Sequence, residues 1–211
     1  MKYVMELKNV SFGYNGEICI RNFTELFSAE ESVIVTGISG CGKSTLLHLM
    51  AQLLTPTSGE IVFLGNRIQS KIDQENVRRD IGLILQFHSL LSEFSAVENV
   101  ALPLIGKGVS IQNALQIARK WLKNVGLEKK ENSNVLELSG GEQQRVSVAR
   151  AFVQNPKLIL ADEATGNLDE DTALNIVQLC IRYAKEIQAA MVWVSHDLSH
   201  KMQFDKHIIL K

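Results

Sequence analysis

Residues 37–44 read Gly37-Ile38-Ser39-Gly40-Cys41-Gly42-Lys43-Ser44, a glycine-rich stretch that closes on a lysine and a hydroxyl. This is the G-x-x-x-x-G-K-[ST] spacing of a phosphate loop, which carries meaning only between a strand and a helix. Both neighbours are predicted here. Ser32-Val33-Ile34-Val35-Thr36 is a short β-branched apolar run, and Leu46, Leu47, Met50, Leu53 and Leu54 follow at helical spacing. Glycines let the backbone curl so that successive N–H groups face phosphate oxygens, and the helix adds its positive N-terminal end. Lys43 would then reach the outer phosphates of a nucleotide, and the Ser44 hydroxyl would ligate Mg²⁺.

A second group lies at Leu158-Ile159-Leu160-Ala161-Asp162-Glu163. An apolar strand that ends in two acids sets carboxylates at the C-terminal edge of a sheet, where open α/β sheets bind ligands. Asp162 is expected at the Mg²⁺ and Glu163 at the attacking water. By itself such a pair is an ordinary solvated loop start; downstream of a phosphate loop it reads as chemistry. A third group, Leu138-Ser139-Gly140-Gly141-Glu142-Gln143-Gln144-Arg145, opens a helix with serine and two glycines and makes a second anion-binding N-terminus. One nucleotide needs one such cradle. The other predicts either a plain helix cap or a chain that clasps the nucleotide of a second copy.

These groups need elements to position them. Residues 3–9 and 18–27 read as strands around the turn Gly13-Tyr14-Asn15-Gly16, and Glu60–Leu64 as another. From about 88 to 137 the pattern turns helical: Ser95-Ala96-Val97-Glu98 has capping-box spacing, and Ser110 precedes a second amphipathic run that ends at Gly126. Strand and helix alternate again after residue 142, which predicts a parallel sheet. The expected fold is therefore α/β, a P-loop core with an antiparallel N-terminal β-subdomain and an inserted helical lobe. We read residues 1–211 as a single domain, with the core at about 1–87 and 138–211 and the lobe at about 88–137.

Composition narrows the function classes. Twenty-two Lys and Arg against 23 Asp and Glu give a net charge of −1, which argues against nucleic-acid binding through bulk charge and against a polybasic anchor. Hydrophobic content of 45% with 21% charged residues is that of a globular chain. The cysteines, Cys19, Cys41 and Cys180, form no Cys-x-x-Cys pair, so neither a disulfide framework nor a zinc site is expected. No apolar run approaches the roughly 18 residues of a membrane span, so any membrane role must come through a partner.

LSGGE, set between a GxSGxGKST loop and an LILADE strand, resembles the signature of ATP-binding-cassette (ABC) ATPases, and the resemblance runs from about residue 3 to 210. It implies roles residue by residue. Tyr14 falls where the family stacks an aromatic ring on adenine. Gly37, Ser39, Gly40, Cys41, Gly42, Lys43, Ser44 and Thr45 hold the phosphates, and Gln86, which also reaches the metal, is the Q-loop residue. Asn167-Leu168-Asp169 matches the D-loop, and His196 after Val192-Trp193-Val194-Ser195 the switch histidine. Two copies would pair head to tail, so that Ser139, Gly140, Gly141, Glu142 and Asp169 meet the ATP held by the other copy. Glu163 and His196 would serve hydrolysis, with ATP and Mg²⁺ as ligands.

QFHSLL…ENVALPL together with ADEATGNLD resembles the subfamily of lipoprotein-releasing, macrolide-export and cell-division ATPases, nearest the lipoprotein-releasing type. That implies a peripheral subunit on the inner face of the cell membrane, with an integral membrane permease docking near Gln86–Leu104. The alternative is a non-transporting ABC ATPase, either a cell-division mechanotransmission regulator or a soluble iron–sulfur assembly ATPase. The chain departs from the pattern in two places. Ala164 stands where the subfamily has proline, so a less rigid chain is expected beyond Glu163. Cys41 lies within the phosphate loop, either as a small residue that fits there or as an oxidant-sensitive thiol.

Overall fold

A computed structural model describes residues 3–86, 89–197, 199 and 201–210. Phe87 and His88 of the expected docking segment lie outside the described residues, as does Lys211.

Two sheets organise the chain. The first joins β1 (Tyr3–Tyr14), β2 (Glu17–Ser28), β4 (Ser58–Phe63) and β5 (Asn66–Arg67) in the antiparallel order β2-β1-β4-β5. Its hairpin is tighter than the sequence suggested. Tyr14 pairs with Glu17, and only Asn15 (φ 49°) and Gly16 (φ 90°) turn. An Asn-Gly pair accepts two positive φ values at little cost, and their twist matches that of the flanking strands. The predicted strands 3–9 and 18–27 are therefore too short, because register shifts along β1 and β2 absorb the residues that break the alternation.

The second sheet is wholly parallel. It contains β3 (Ser32–Thr36), β6 (Ile81–Leu85), β7 (Leu158–Asp162), β8 (Ala190–Val194) and β9 (Lys206–Ile209), in the order β6-β7-β8-β3-β9. Parallel strands are buried on both faces, and their side chains divide cleanly. Val33, Val35, Leu158, Leu160, Val192 and Val194 face one apolar cluster with β1, β2, β4 and helix α1 (Lys43–Met50). Ile34, Ile159, Ala161, Met191 and Trp193 face the other. Four helices cover that second face: α3 (Ala96–Gly106), α4 (Ile111–Asn124), α5 (Gly140–Phe152) and α6 (Glu170–Glu186). Helix α2 (Lys71–Arg78) packs Val77 on the first face and leads into β6.

The caps read from sequence form as hydrogen bonds. Ser95 and Ser139 each make a reciprocal capping box, with Glu98 and Glu142, and Ser110 accepts from the Asn113 N–H. Helix α4 ends at Asn124 and the chain turns through Gly126 at φ 76°. Trp121 of α4, Phe152 of α5 and Tyr183 of α6 stack with centroids 5.2–5.9 Å apart. The helical region thus shares one core with the sheet.

Candidate functional site

The order β6-β7-β8-β3 decides where the motifs meet, because neighbouring parallel strands lie about 4.8 Å apart and end on the same side. Gln86 follows β6, Asp162 ends β7 with Glu163 after it, Ser195 and His196 follow β8, and the Gly37–Ser44 loop follows β3. Backbone bonds tie these ends together. The Glu163 N–H donates to the Val194 carbonyl at 3.0 Å, and the Ser195 N–H to the Val35 carbonyl at 3.1 Å.

In the loop, Gly40 (φ 80°) and Gly42 (φ 96°) take the left-handed backbone that glycine adopts freely. A Cβ on Gly40 would meet open space, as a cradle for a ligand requires, whereas one on Gly37 would lie 2.5 Å from the Leu210 carbonyl oxygen and 2.6 Å from the Cys41 sulfur. The Cys41 thiol is thus packed against Gly37. Lys43 is buried, and its ammonium donates to the carbonyls of Gly37 (2.9 Å) and Ile38 (3.0 Å). Gly42 also abuts the Cys19 carbonyl and the Ile20 side chain of β2, which seats the N-terminal hairpin over the loop. Tyr14 is at the tip of that hairpin, 50% exposed and edge-on to Phe12 at 5.0 Å. Ile18, opposite Gly13 and 58% exposed, is an apolar residue near that tip that sequence reading passed over.

Across the sheet, the Ser44 hydroxyl donates to Asp162 Oδ1 at 3.3 Å. Burial pushes the Asp162 carboxyl above the ordinary range; the Ser44 bond opposes this, and the charge of Glu163 adds to it. Two hard oxygen donors at this spacing fit Mg²⁺, which takes few protein ligands and completes its shell with water and phosphate. Glu163 holds a left-handed backbone (φ 45°), and its Oε1 lies 3.1 Å from His196 Nδ1. The carboxylate is mostly shielded at 27% exposure while the imidazole is 63% exposed. A carboxylate that is held by an imidazole N–H and opens onto a cleft can orient a water and accept its proton. Glu163, Gly166, Ser195 and His196 line that cleft, of about 630 Å³. The Gln86 amide comes within 3.3 Å of a Cβ built on Gly166, so Gln86 stands beside the chain that carries Glu163. Ala164 is buried in the apolar cluster beneath.

Ser139, Gly140 and Gly141 line a separate depression with Asn167, Leu168 and Asp169, and Leu168 borders both hollows. Arg145 and Thr172 complete it. Arg145 stood in the quoted motif without a role, and Thr172 carried no sequence signal. Backbone and side-chain bonding to Ser139 holds the Glu142 carboxyl below its usual range, against a desolvation that raises it. Asp169 caps α6 through the Thr172 N–H at 3.0 Å, which lowers its carboxyl in the same way. Among the described residues, no hydrogen bond or ion pair joins Ser139–Gly141 to the Lys43 loop.

Residues 20–166 match the protein family described as ABC transporter. The lipoprotein-releasing system ATP-binding protein LolD of Psychrobacter arcticus is 42% identical, over 100% of this chain and 97% of that protein. The LolD of Colwellia psychrerythraea is 45% identical, over 85% of this chain and 71% of its own length. Among solved structures, the dimeric structure of MJ0796, described as a bacterial ABC transporter cassette, superposes with a TM-score of 0.87 at 36% identity, covering 98% of this chain and 94% of that one. A second structure of MJ0796, a dimeric post-hydrolysis state bound to ADP and Pi, matches with the same TM-score at 35% identity and the same coverage. No helix among the described residues is long and apolar enough to cross a membrane.

Proposed function

The chain belongs to the ABC transporter family, and from that premise we propose that it is the ATPase of a lipoprotein-releasing transporter, working as two copies at the cytoplasmic face of a membrane permease. ATP hydrolysis is its activity. The observation that carries the assignment of residues is the convergence of four strand ends: the Lys43 loop, the Ser44–Asp162 pair, the Glu163–His196 pair and Gln86.

In this reading Tyr14 stacks on the adenine. The Gly37–Gly42 amides, Lys43, Ser44 and Thr45 hold the phosphates. Ser44, Asp162 and Gln86 would hold Mg²⁺, which when bound neutralises phosphate charge. Glu163 positions the attacking water and takes its proton, while the His196 Nδ1–H keeps that carboxylate aimed at the cleft. Ser139, Gly140, Gly141, Glu142 and Asp169 close on the nucleotide of the second copy, a reading supported by the lack, among the described residues, of any hydrogen bond or ion pair from Ser139–Gly141 to the Lys43 loop. The permease docks at Gln86–Leu104, where Leu91 is 43% exposed and Leu90 and Phe94 are half-buried. The names of the LolD relatives support a lipoprotein as cargo.

Glu163→Gln tests the core of this. Turnover should fall by about 100- to 10,000-fold, the usual worth of a general base, while an ATP-bound dimer accumulates on size exclusion. Unchanged turnover overturns the role of Glu163. The same variant, tagged and extracted gently with ATP, should bring down a membrane protein with few spanning helices and a large external domain. Recovery of soluble companions alone overturns the permease while leaving the ATPase intact.

A further inference from the structure

Two asparagines outside the nucleotide machinery join the chain that follows Gln86 to the chain that enters Ser139. Asn99, on the first turn of α3, is fully buried. Its Oδ1 accepts the Leu91 N–H at 2.8 Å, and its Nδ2 donates to the carbonyls of Leu91 (3.0 Å), Phe94 (3.2 Å) and Ser95 (3.1 Å). One side chain thereby replaces the missing secondary structure of residues 91–95. A buried polar network of this kind is either satisfied or costly, so the segment moves as a unit or breaks.

Asn134 works from the other side. Its Nδ2 donates to the Ser92 carbonyl at 2.9 Å, while its Oδ1 caps the turn Val135–Glu137 by accepting the Leu136 N–H at 2.9 Å. Backbone bonds extend the seam: Ala96 N–H to the Ser133 carbonyl (3.0 Å) and Val97 N–H to that of Glu131 (2.9 Å). Val135 and Leu138 are buried, which anchors the stretch between Asn134 and Ser139 in the core. From within α5, Arg150 also reaches the Ser89 carbonyl, at 2.7 Å. The segment with Leu90, Leu91 and Phe94 on its surface is therefore bonded at Ser89 to α5 itself and at Ser92 to the stretch of chain that leads into Ser139.

We propose that Asn99 and Asn134 are positioning residues that transmit the placement of residues 89–95 to the N-terminus of α5. Asn99 keeps the segment in one shape, and Asn134 hands its position to the chain that enters Ser139. A permease pressing on Leu91 then sets whether Ser139–Gly141 can close on the nucleotide of the second copy. The inference rests on the reading of those two surfaces given above.

Asn134→Asp, made in the Glu163→Gln chain, isolates the contact, because the carboxylate keeps the cap on Leu136 and loses only the donor to Ser92. Amide hydrogen exchange followed by mass spectrometry should quicken about fivefold, the worth of one ordinary hydrogen bond, both at residues 92–97 and at 139–143. The ATP concentration for half-maximal dimerisation should rise by a similar factor, while monomeric ATP binding stays as in the parent. Faster exchange confined to 92–97, with dimerisation unchanged, overturns the proposal. Asn99→Asp, which keeps the Leu91 acceptor and loses the donor to three carbonyls, should act on the same path. The double variant should then be no worse than the more affected single, and additive effects would reject a shared path. Where Asn99→Asp does not fold, the Asn134 arm decides alone. A parent chain that never dimerises with ATP counts against the proposed dimer, and the exchange pattern still judges the coupling.

Discussion

Asp162 and Glu163 are adjacent carboxylates with different partners, the Ser44 hydroxyl for one and the His196 ring for the other. Asp162 is pressed into the sheet edge with the Ser44 hydroxyl as its hydrogen-bond donor, and burial raises its carboxyl. Between the ordinary carboxylate value and the raised one, the folded chain keeps a proton that the unfolded chain has lost. Stability therefore falls as pH rises through that window and stays reduced above it. Asp162→Asn removes this cost, so the free protein should melt about 2–4 °C higher, the shift that ~1 kcal/mol gives in a domain of this size. Hydrolysis should be lost in the same variant; scanning calorimetry and a phosphate-release assay check the two together. Glu98, Glu142 and Asp205 run the other way. Their carboxyls are held low by bonds from Ser95, Ser139 and Ser32, so their contribution is present above the ordinary carboxylate range and lost as pH falls through their folded values.

Among the elements, two glycines separate packing from function. A Cβ on Gly82 of β6 would sit 2.4 Å from the Ala151 carbonyl oxygen of α5, so Gly82→Ala must push strand and helix apart. We expect a loss of about 1–3 kcal/mol, read as a lower denaturation midpoint with an unchanged slope. Gly140, at the first position of α5, would meet only the Leu168 side chain at 3.9 Å. Gly140→Ala should leave thermal stability level or slightly raised, since alanine is the better helix residue, while ATP-driven dimerisation weakens. A variant that dimerises like the parent would remove the Ser139–Gly141 depression from the nucleotide site. The elements also mark what was legible in advance. The capping serines were, because a cap and its partner lie three residues apart and the bond is local. The full extent of the hairpin was not, because register shifts are settled by pairing across the sheet and leave no pattern along one strand.

Across the whole molecule, the parallel sheet separates two apolar clusters, with α1 and the antiparallel sheet on one face and α3–α6 on the other. Nucleotide bound at the Lys43 loop stabilises the native state by mass action alone, whereas closure between copies adds a term that depends on protein concentration. With ATP in excess, the melting temperature of Glu163→Gln should therefore rise with protein concentration; a value that stays constant over a hundredfold dilution would argue for a monomer. Residue types and short spacings already specified the phosphate loop, the acidic strand end, the serine caps and the family, since each depends on atoms within a few residues of one another. Other features needed the fold. His196 meets Glu163 because β8 lies between β7 and β3, and Ser44 meets Asp162 across 118 residues of chain. Asn99 and Asn134 look like ordinary polar residues until they are seen satisfying the backbone of a loop without regular structure. Strand order and loop closure arise from burying both faces of the sheet at once, a condition on the whole chain that no local stretch carries.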